Sequence, residues 1–283
     1  MKMKNNAMSP LRHALWIFPL CAAALVVFFF TDLTIAGAVY DRDTFYGWFF
    51  DVLAPSVAPV IGMVLLCCLR VSDVERTTHP VLVAVEWVLA AACAYLSADQ
   101  FDKYAETHMP MWVLLVFALG QFAAAMIIAL LAKPDRAALQ KLTLQAVCMI
   151  LVVFVSIVIV KGIWGRQRYF TMTDPMTQFT PWLFPQFRSG SMYASFPSGH
   201  TGNGSAILLL TLFPAAFPRM KKLQNLLYVF VGLWIPLLAF SRMVEGAHFA
   251  SDVTAGFVIA FAMFCVVNAE WFRKGTEKFA AKL

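Results

Sequence analysis

"KLTLQAVCMILVVFVSIVIVKGIWGRQRY", residues 141–169, runs without a charge from 142 to 160 and then turns abruptly cationic at Lys161, Arg166 and Arg168. A helix that crosses a bilayer needs about 20 predominantly apolar residues, so the first part of this stretch is long enough to span. The whole chain follows the same pattern. Of its 283 residues 61% are hydrophobic, 14% aromatic and only 13% charged, against an apolar share of roughly 45–50% in soluble domains. The apolar residues are gathered into long blocks rather than spread at an amphipathic period. The chain therefore reads as an all-α, polytopic transmembrane helical bundle.

Eight spans are expected, at about 14–38, 52–70, 81–98, 111–132, 141–161, 200–217, 224–241 and 250–271. The second is the weakest. It contains Pro55 and Pro59 and follows the aromatic "FYGWFF", so a re-entrant or surface-lying segment is one reading of it. The basic N-terminus, the apolar run behind it and Ala36-Gly37-Ala38 have the outline of a signal peptide, but the run is long for one and an uncleaved first span is expected. Cys21, Cys67, Cys68, Cys93, Cys148 and Cys265 all fall in apolar spans, without zinc-like spacing, and read as small buried hydrophobes.

The formal net charge of +6 invites a nucleic-acid reading, which its distribution argues against. With the N-terminus in the cytoplasm, Lys2, Lys4, Arg12, Arg70, Arg76, Lys133, Arg136, Lys141, Arg219, Lys221, Lys222, Arg273, Lys274, Lys278 and Lys282 all lie inside, as the positive-inside bias requires. Seven cations are left on the trans side. Arg42 and Lys103 sit in acidic loops, whereas Lys161, Arg166, Arg168, Arg188 and Arg242 crowd the last third of the chain and need another reason.

The chain divides at about residue 140. The first half, 1–140, is spans joined by short polar loops; the second, 141–283, holds three polar stretches separated by apolar helices, "KGIWGRQRY" at 161–169, "FPSGHTGNG" at 196–204 and "SRMVEGAHFASD" at 241–252. All three fall on the trans side and can converge. Between the first two lies a stretch rich in proline and aromatic residues, suited to the headgroup level.

Each stretch has a chemical and a structural reading. In the second, Ser198 is a good helix N-cap, Gly199 admits close backbone approach, and His200 sits in the first turn beside free N–H groups that attract an anion. The glycines of "TGNGS" equally suit close helix packing. In the third, His248 and Asp252 are four apart, so on a helix the carboxylate can hold the imidazole in one tautomer and leave the other nitrogen as a nucleophile or base. A metal pair or a structural pair has the same spacing. Lys161 and Arg168 suit a dianion, or snorkel from a helix end.

Taken together, the three stretches resemble the signature of the type 2 phosphatidic acid phosphatase superfamily, Lys-x6-Arg-Pro, Pro-Ser-Gly-His and Ser-Arg-x5-His-x3-Asp. Here they run from Lys161 to Arg168, then Pro197-Ser198-Gly199-His200, then Ser241-Arg242 through His248 to Asp252. Tyr169 stands where the family usually has proline. The resemblance covers about 141–271 and implies a six-helix phosphatase-type core with extra N-terminal spans.

It further implies a hydrolase. His248 attacks phosphorus, Asp252 orients it, and His200 protonates the leaving oxygen, while Lys161, Arg168, Arg242, Ser198 and the Gly199 backbone hold the phosphoryl oxygens. No cofactor or metal is implied, and the partner is a lipid phosphate in the bilayer, with the site on the periplasmic face of an inner membrane. A lipid phosphotransferase would use the same residues, and a non-catalytic phospholipid binder or transporter would use the cations alone. Arg166 and Arg188 are expected to contact headgroups or anchor the chain at the interface. His13, His79 and His108 are expected in tails or loops, and Asp32, Glu86 and Glu245 have no assigned role.

Overall fold

The computed structural model describes residues 10–72, 80–272, 274 and 275. Lys2, Lys4, Arg76, His79, Arg273, Lys278 and Lys282 lie outside the described residues. Among those described there are helices and turns and no strand. Among the described residues, seven helices are long and apolar enough to cross a membrane. They are α1 (Pro10–Val39), α2 (Phe45–Ser72), α3 (Pro80–Ala105), α4 (Met111–Leu131), α5 (Arg136–Trp164), and then, after shorter elements, α9 (Gln224–Val244) and α10 (Ala250–Asn268).

The expected span at 200–217 has a different form. It is an interrupted helix made of α7 (Gly199–Gly204), a 3-10 stretch (Ser205–Leu212) and α8 (Phe213–Ala216). The tighter 3-10 winding rises faster per residue, so these 18 residues still cover about 31 Å, close to the hydrocarbon thickness. A four-residue helix, α6 (Pro175–Gln178), lies in the stretch between α5 and α7.

The second span departs from expectation. Instead of a re-entrant segment, α2 is one helix of 28 residues that includes the aromatic "FYGWFF" and passes through Pro55 and Pro59. Proline is tolerated here because neighbouring helices surround it: α2 packs against α3, α4, α5, α7 and α9. His13 also differs, lying within α1 edge-on to Trp16 rather than in a tail.

α3 and α4 bury mostly small side chains. On α3 the buried positions are Ala90, Ala94, Ser97 and Ala98, and on α4 they are Leu114, Ala118, Ala125 and Ala129. Small residues at these spacings let helix backbones approach in a medium where large apolar side chains gain nothing by leaving lipid. Large side chains such as Val88, Leu119, Phe154 and Leu233 point outward, while Leu65 of α2, Leu139 of α5 and Phe261 of α10 fill the core. Gly256 of α10 allows one such backbone approach, since a Cβ there would stand 2.4 Å from the Ser198 carbonyl oxygen.

Two devices close the ends of α5. Asp135 caps its start by accepting the Ala138 N–H at 2.9 Å, and Gly165 ends it in the left-handed region at φ +60°. From there the chain folds over one end of the bundle. Trp164 stacks on Phe196, and Trp182 donates its indole N–H to the Leu25 carbonyl of α1 at 3.0 Å. The aromatic segment is thereby fastened to the helices on both sides.

Candidate active site

α5 carries Lys161 in its last turn, α7 carries His200 in its first, and α9 carries Arg242 in its last, one loop before α10 begins. These termini meet at the same end of the bundle, and the three polar stretches become one site. A cavity of about 190 Å³ opens there, lined by Arg168 and Phe170 from the first stretch, His200 from the second, and Arg242, Glu245, Ala247 and His248 from the third. Its remaining walls are Arg42, Asp51 and Tyr104, all from the first half of the chain.

His248 is buried in the loop between α9 and α10. Its Nδ1 lies 2.6 Å from the Ser195 carbonyl oxygen. A carbonyl only accepts, so this contact requires the proton on Nδ1 and leaves the Nε2 lone pair free. Burial, reinforced by the nearby cations Lys161 and Arg168, pushes the His248 pKa well below its ordinary value, which favours that neutral form. The ring of His200 is centred 6.4 Å away, with the Tyr104 ring edge-on at 4.8 Å.

Asp252 holds a different position from the one expected of a direct partner to His248. It stands 4.0 Å from Nδ1, and its oxygens are committed elsewhere. One accepts the Ser195 hydroxyl at 2.6 Å and the Phe249 N–H at 2.8 Å, closing the start of α10; the other accepts Arg166 at 2.6 Å. Asp252 thus fixes the two segments that present His248, while the Ser195 carbonyl fixes the tautomer.

Arg166, expected at the headgroup level, is almost wholly buried at 1% exposure. It bridges Asp252 to Asp32 of α1 at 2.9 Å, donates to the Thr180 carbonyl, and lies over the Phe249 ring at 4.1 Å. Asp32, given no role from sequence, accepts the Ser251 N–H at 3.0 Å and so belongs to the same buried network. Arg188 remains exposed, over the Tyr193 ring. Glu86 pairs with Arg70 between α3 and α2, away from the site.

The expected oxygen-binding groups divide into two tiers. Arg168 and Arg242 face the cavity, and the buried Nε of Arg168 has no hydrogen-bond partner among the described residues. Arg242 is held by the Gly47 carbonyl and the Asp51 carboxylate, both on α2. Lys161, Ser198 and Gly199 stand outside the lining: Lys161 donates to the Ala194 carbonyl, and Ser198 caps α7 by accepting the Thr201 N–H at 3.3 Å. Beyond Arg168, a turn closed by Thr171 N–H to the Arg168 carbonyl at 3.1 Å supplies the local stiffness where Tyr169 replaces proline.

Sequence reasoning missed Asp51, Tyr104, Ser195 and the site role of Asp32. For the two aspartates a signal exists, because each is a carboxylate inside an apolar run, where an ionisable group is expensive unless it is used. Glu245 caps the end of α9 against Gly47, whose missing side chain leaves the space that Glu245 fills. Burial raises its pKa, and Arg242 opposes that rise.

Residues 141–275 match the family model described as PAP2 superfamily. The chain is 30% identical over 76 residues to phosphatidylglycerophosphatase B of Bacillus subtilis, a stretch covering 26% of this chain and 37% of that relative. It is 30% identical over 105 residues to lipid A 1-phosphatase of Rhizobium johnstonii, covering 37% of each. The matches therefore span little more than a third of either relative's length. No solved structure matches the chain.

Proposed function

Residues 141–275 belong to the PAP2 superfamily, and on that premise we propose that this polytopic membrane protein is a phosphatase of lipid phosphates. Its substrate is a phosphate monoester or diphosphate of the phosphatidate, phosphatidylglycerophosphate, isoprenyl diphosphate or lipid A type, met on the trans side, which in a bacterium is the periplasmic face. The observation that carries this reading is the convergence of two histidines and three arginines on one cavity, with the buried Nε of Arg168 unpartnered among the described residues. Phosphoryl transfer asks for positioning and charge stabilisation more than for other chemistry. A buried cationic cavity at the end of a bundle offers both, and a lipid can reach it with its tail still in hydrocarbon.

In this mechanism His248 attacks phosphorus through Nε2 and forms a phosphohistidine. The Ser195 carbonyl keeps its Nδ1 proton in place, and Asp252, 4.0 Å away, stabilises the positive charge that develops on the ring. His200 gives a proton to the leaving oxygen. Arg168 and Arg242 hold the phosphoryl oxygens in place of a metal ion, while Lys161, bonded to the Ala194 carbonyl, and Ser198 with Gly199, at the start of α7, steady from outside the lining the segments that present His248 and His200. Water then hydrolyses the phosphohistidine.

His248→Ala tests the reading directly. Phosphate release from a panel of the four lipid phosphates should fall by at least about a thousandfold while the protein keeps its melting temperature. Retained turnover would remove His248 as nucleophile. Turnover should also persist in EDTA, and loss there would count against a metal-free mechanism.

A further inference from the structure

Asp51 is the odd member of the cavity. It belongs to α2, outside the matched segment, and its partly exposed carboxylate touches two groups that should receive a phosphate. One of its oxygens lies 3.0 Å from His200 Nε2 and also contacts Arg242. Arg242 has two further anchors besides it, the Gly47 carbonyl and the Ser241 hydroxyl. A cradle built only for a fully ionised oxyanion would gain by omitting a carboxylate from its donors, since like charges at contact repel.

The repulsion disappears for one class of ligand. A phosphoryl group that keeps a proton presents a P–OH, and a carboxylate, which only accepts, is its natural partner. The charges of the lining fit such a ligand: Arg42, Arg168 and Arg242 against Asp51 and Glu245 leave one net positive charge, which a monoanion matches.

We propose that Asp51 is a specificity-determining residue that makes this site select phosphate groups bearing a proton, with the P–OH donating to its carboxylate, and reject oxyanions that have none. The accepted class is the phosphate monoester, including the terminal group of a diphosphate; the rejected class is the phosphodiester and the sulfate ester. A membrane made of phosphodiester lipids surrounds the site, so the discrimination separates substrate from solvent lipid. The choice of lipid phosphates as the ligand rests on the phosphatase reading above. The proton balance also closes within it. When the monoanionic monoester transfers its phosphoryl group to His248 Nε2, the N–P bond forms, the P–O bond breaks, and the P–OH proton, relayed by Asp51 and His200, leaves on the alcohol.

Inorganic phosphate and sulfate decide the matter, because near neutral pH both are tetrahedral and carry similar charge, yet only phosphate has a proton to donate. Calorimetric titration of the detergent-purified full chain should show phosphate bound at least about tenfold more tightly than sulfate. Asp51→Asn, whose amide can donate to either anion, should bring the two within about twofold. Equal binding in the unaltered protein would overturn the proposal without recourse to any variant, as would an undiminished preference in a folded Asp51→Asn. Turnover is read separately. Selective phosphate binding without release of phosphate from any lipid would overturn the phosphatase reading and support Asp51, whereas turnover with no phosphate preference would overturn Asp51 alone.

Discussion

Arg166 spends every guanidinium nitrogen on a fixed partner, Thr180, Ser251, Asp252 and Asp32, with an aromatic ring against its face. Lysine offers one point of charge in place of that fork. Arg166→Lys should therefore destabilise the protein by about 3–5 kcal/mol, because two buried carboxylates lose most of their compensation. A melting curve in detergent that matched the parent's would contradict this. His248 supports a second expectation. Because burial and Lys161 hold its pKa well below 6.5, the neutral form survives mild acid, and the acid limb of kcat/KM should fall below pH 6.5. Between that value and the depressed one, the unfolded chain binds a proton that the folded chain does not, so stability falls as the pH drops. A limb at or above pH 6.5 would exclude His248 as the titrating group. At this scale the sequence reveals the residues that recur in short local patterns: the two histidines, Asp252 and the three cations. It marks Asp51 and Asp32 only as carboxylates in apolar runs and hides what they meet, because their arginine partners lie over a hundred residues away in the chain.

Helices set how accurately those residues are held. Gly256 of α10 lies under Ser198, and the Ser198 N–H in turn bonds the Asp252 carbonyl at 2.9 Å, so α7 and α10 meet at their starts. Gly256→Ala forces a Cβ against that backbone and should cost about 1–3 kcal/mol. Activity should fall further than stability alone explains, since His200 and Asp252 move apart with the two helices. Turnover per folded molecule, counted by active protein recovered, reads the difference, and a proportional loss would argue against it. Seven of the spans were legible in hydropathy because each is one uninterrupted helix. The 199–216 segment was legible as apolar but not as broken, since hydropathy carries no mark of the switch from α to 3-10 winding after Gly204. The prolines of α2 misled for the converse reason: a helix walled in by five others loses less at proline than one facing lipid.

The molecule as a whole is knit across its two halves. α2 carries Asp51 and the Gly47 carbonyl to Arg242, α1 carries Asp32 to Arg166, and the Asp41 N–H bonds the Val244 carbonyl at 2.9 Å, just before the His248 loop. Residues 141–283 expressed alone should therefore insert but release no phosphate, and co-expression with 1–140 should restore some turnover. Full activity from 141–283 alone would show that α1 and α2 are dispensable. The Asp32 network also bears on biosynthesis. Asp32 enters the membrane with the first helix, yet its partners Arg166 and Ser251 lie 134 and 219 residues later in the chain. During synthesis α1 therefore carries Asp32 without these partners until α5 and then α10 arrive. The carboxylate that locks the finished bundle is thus a burden to the nascent one, and the order of translation dictates when that burden is lifted.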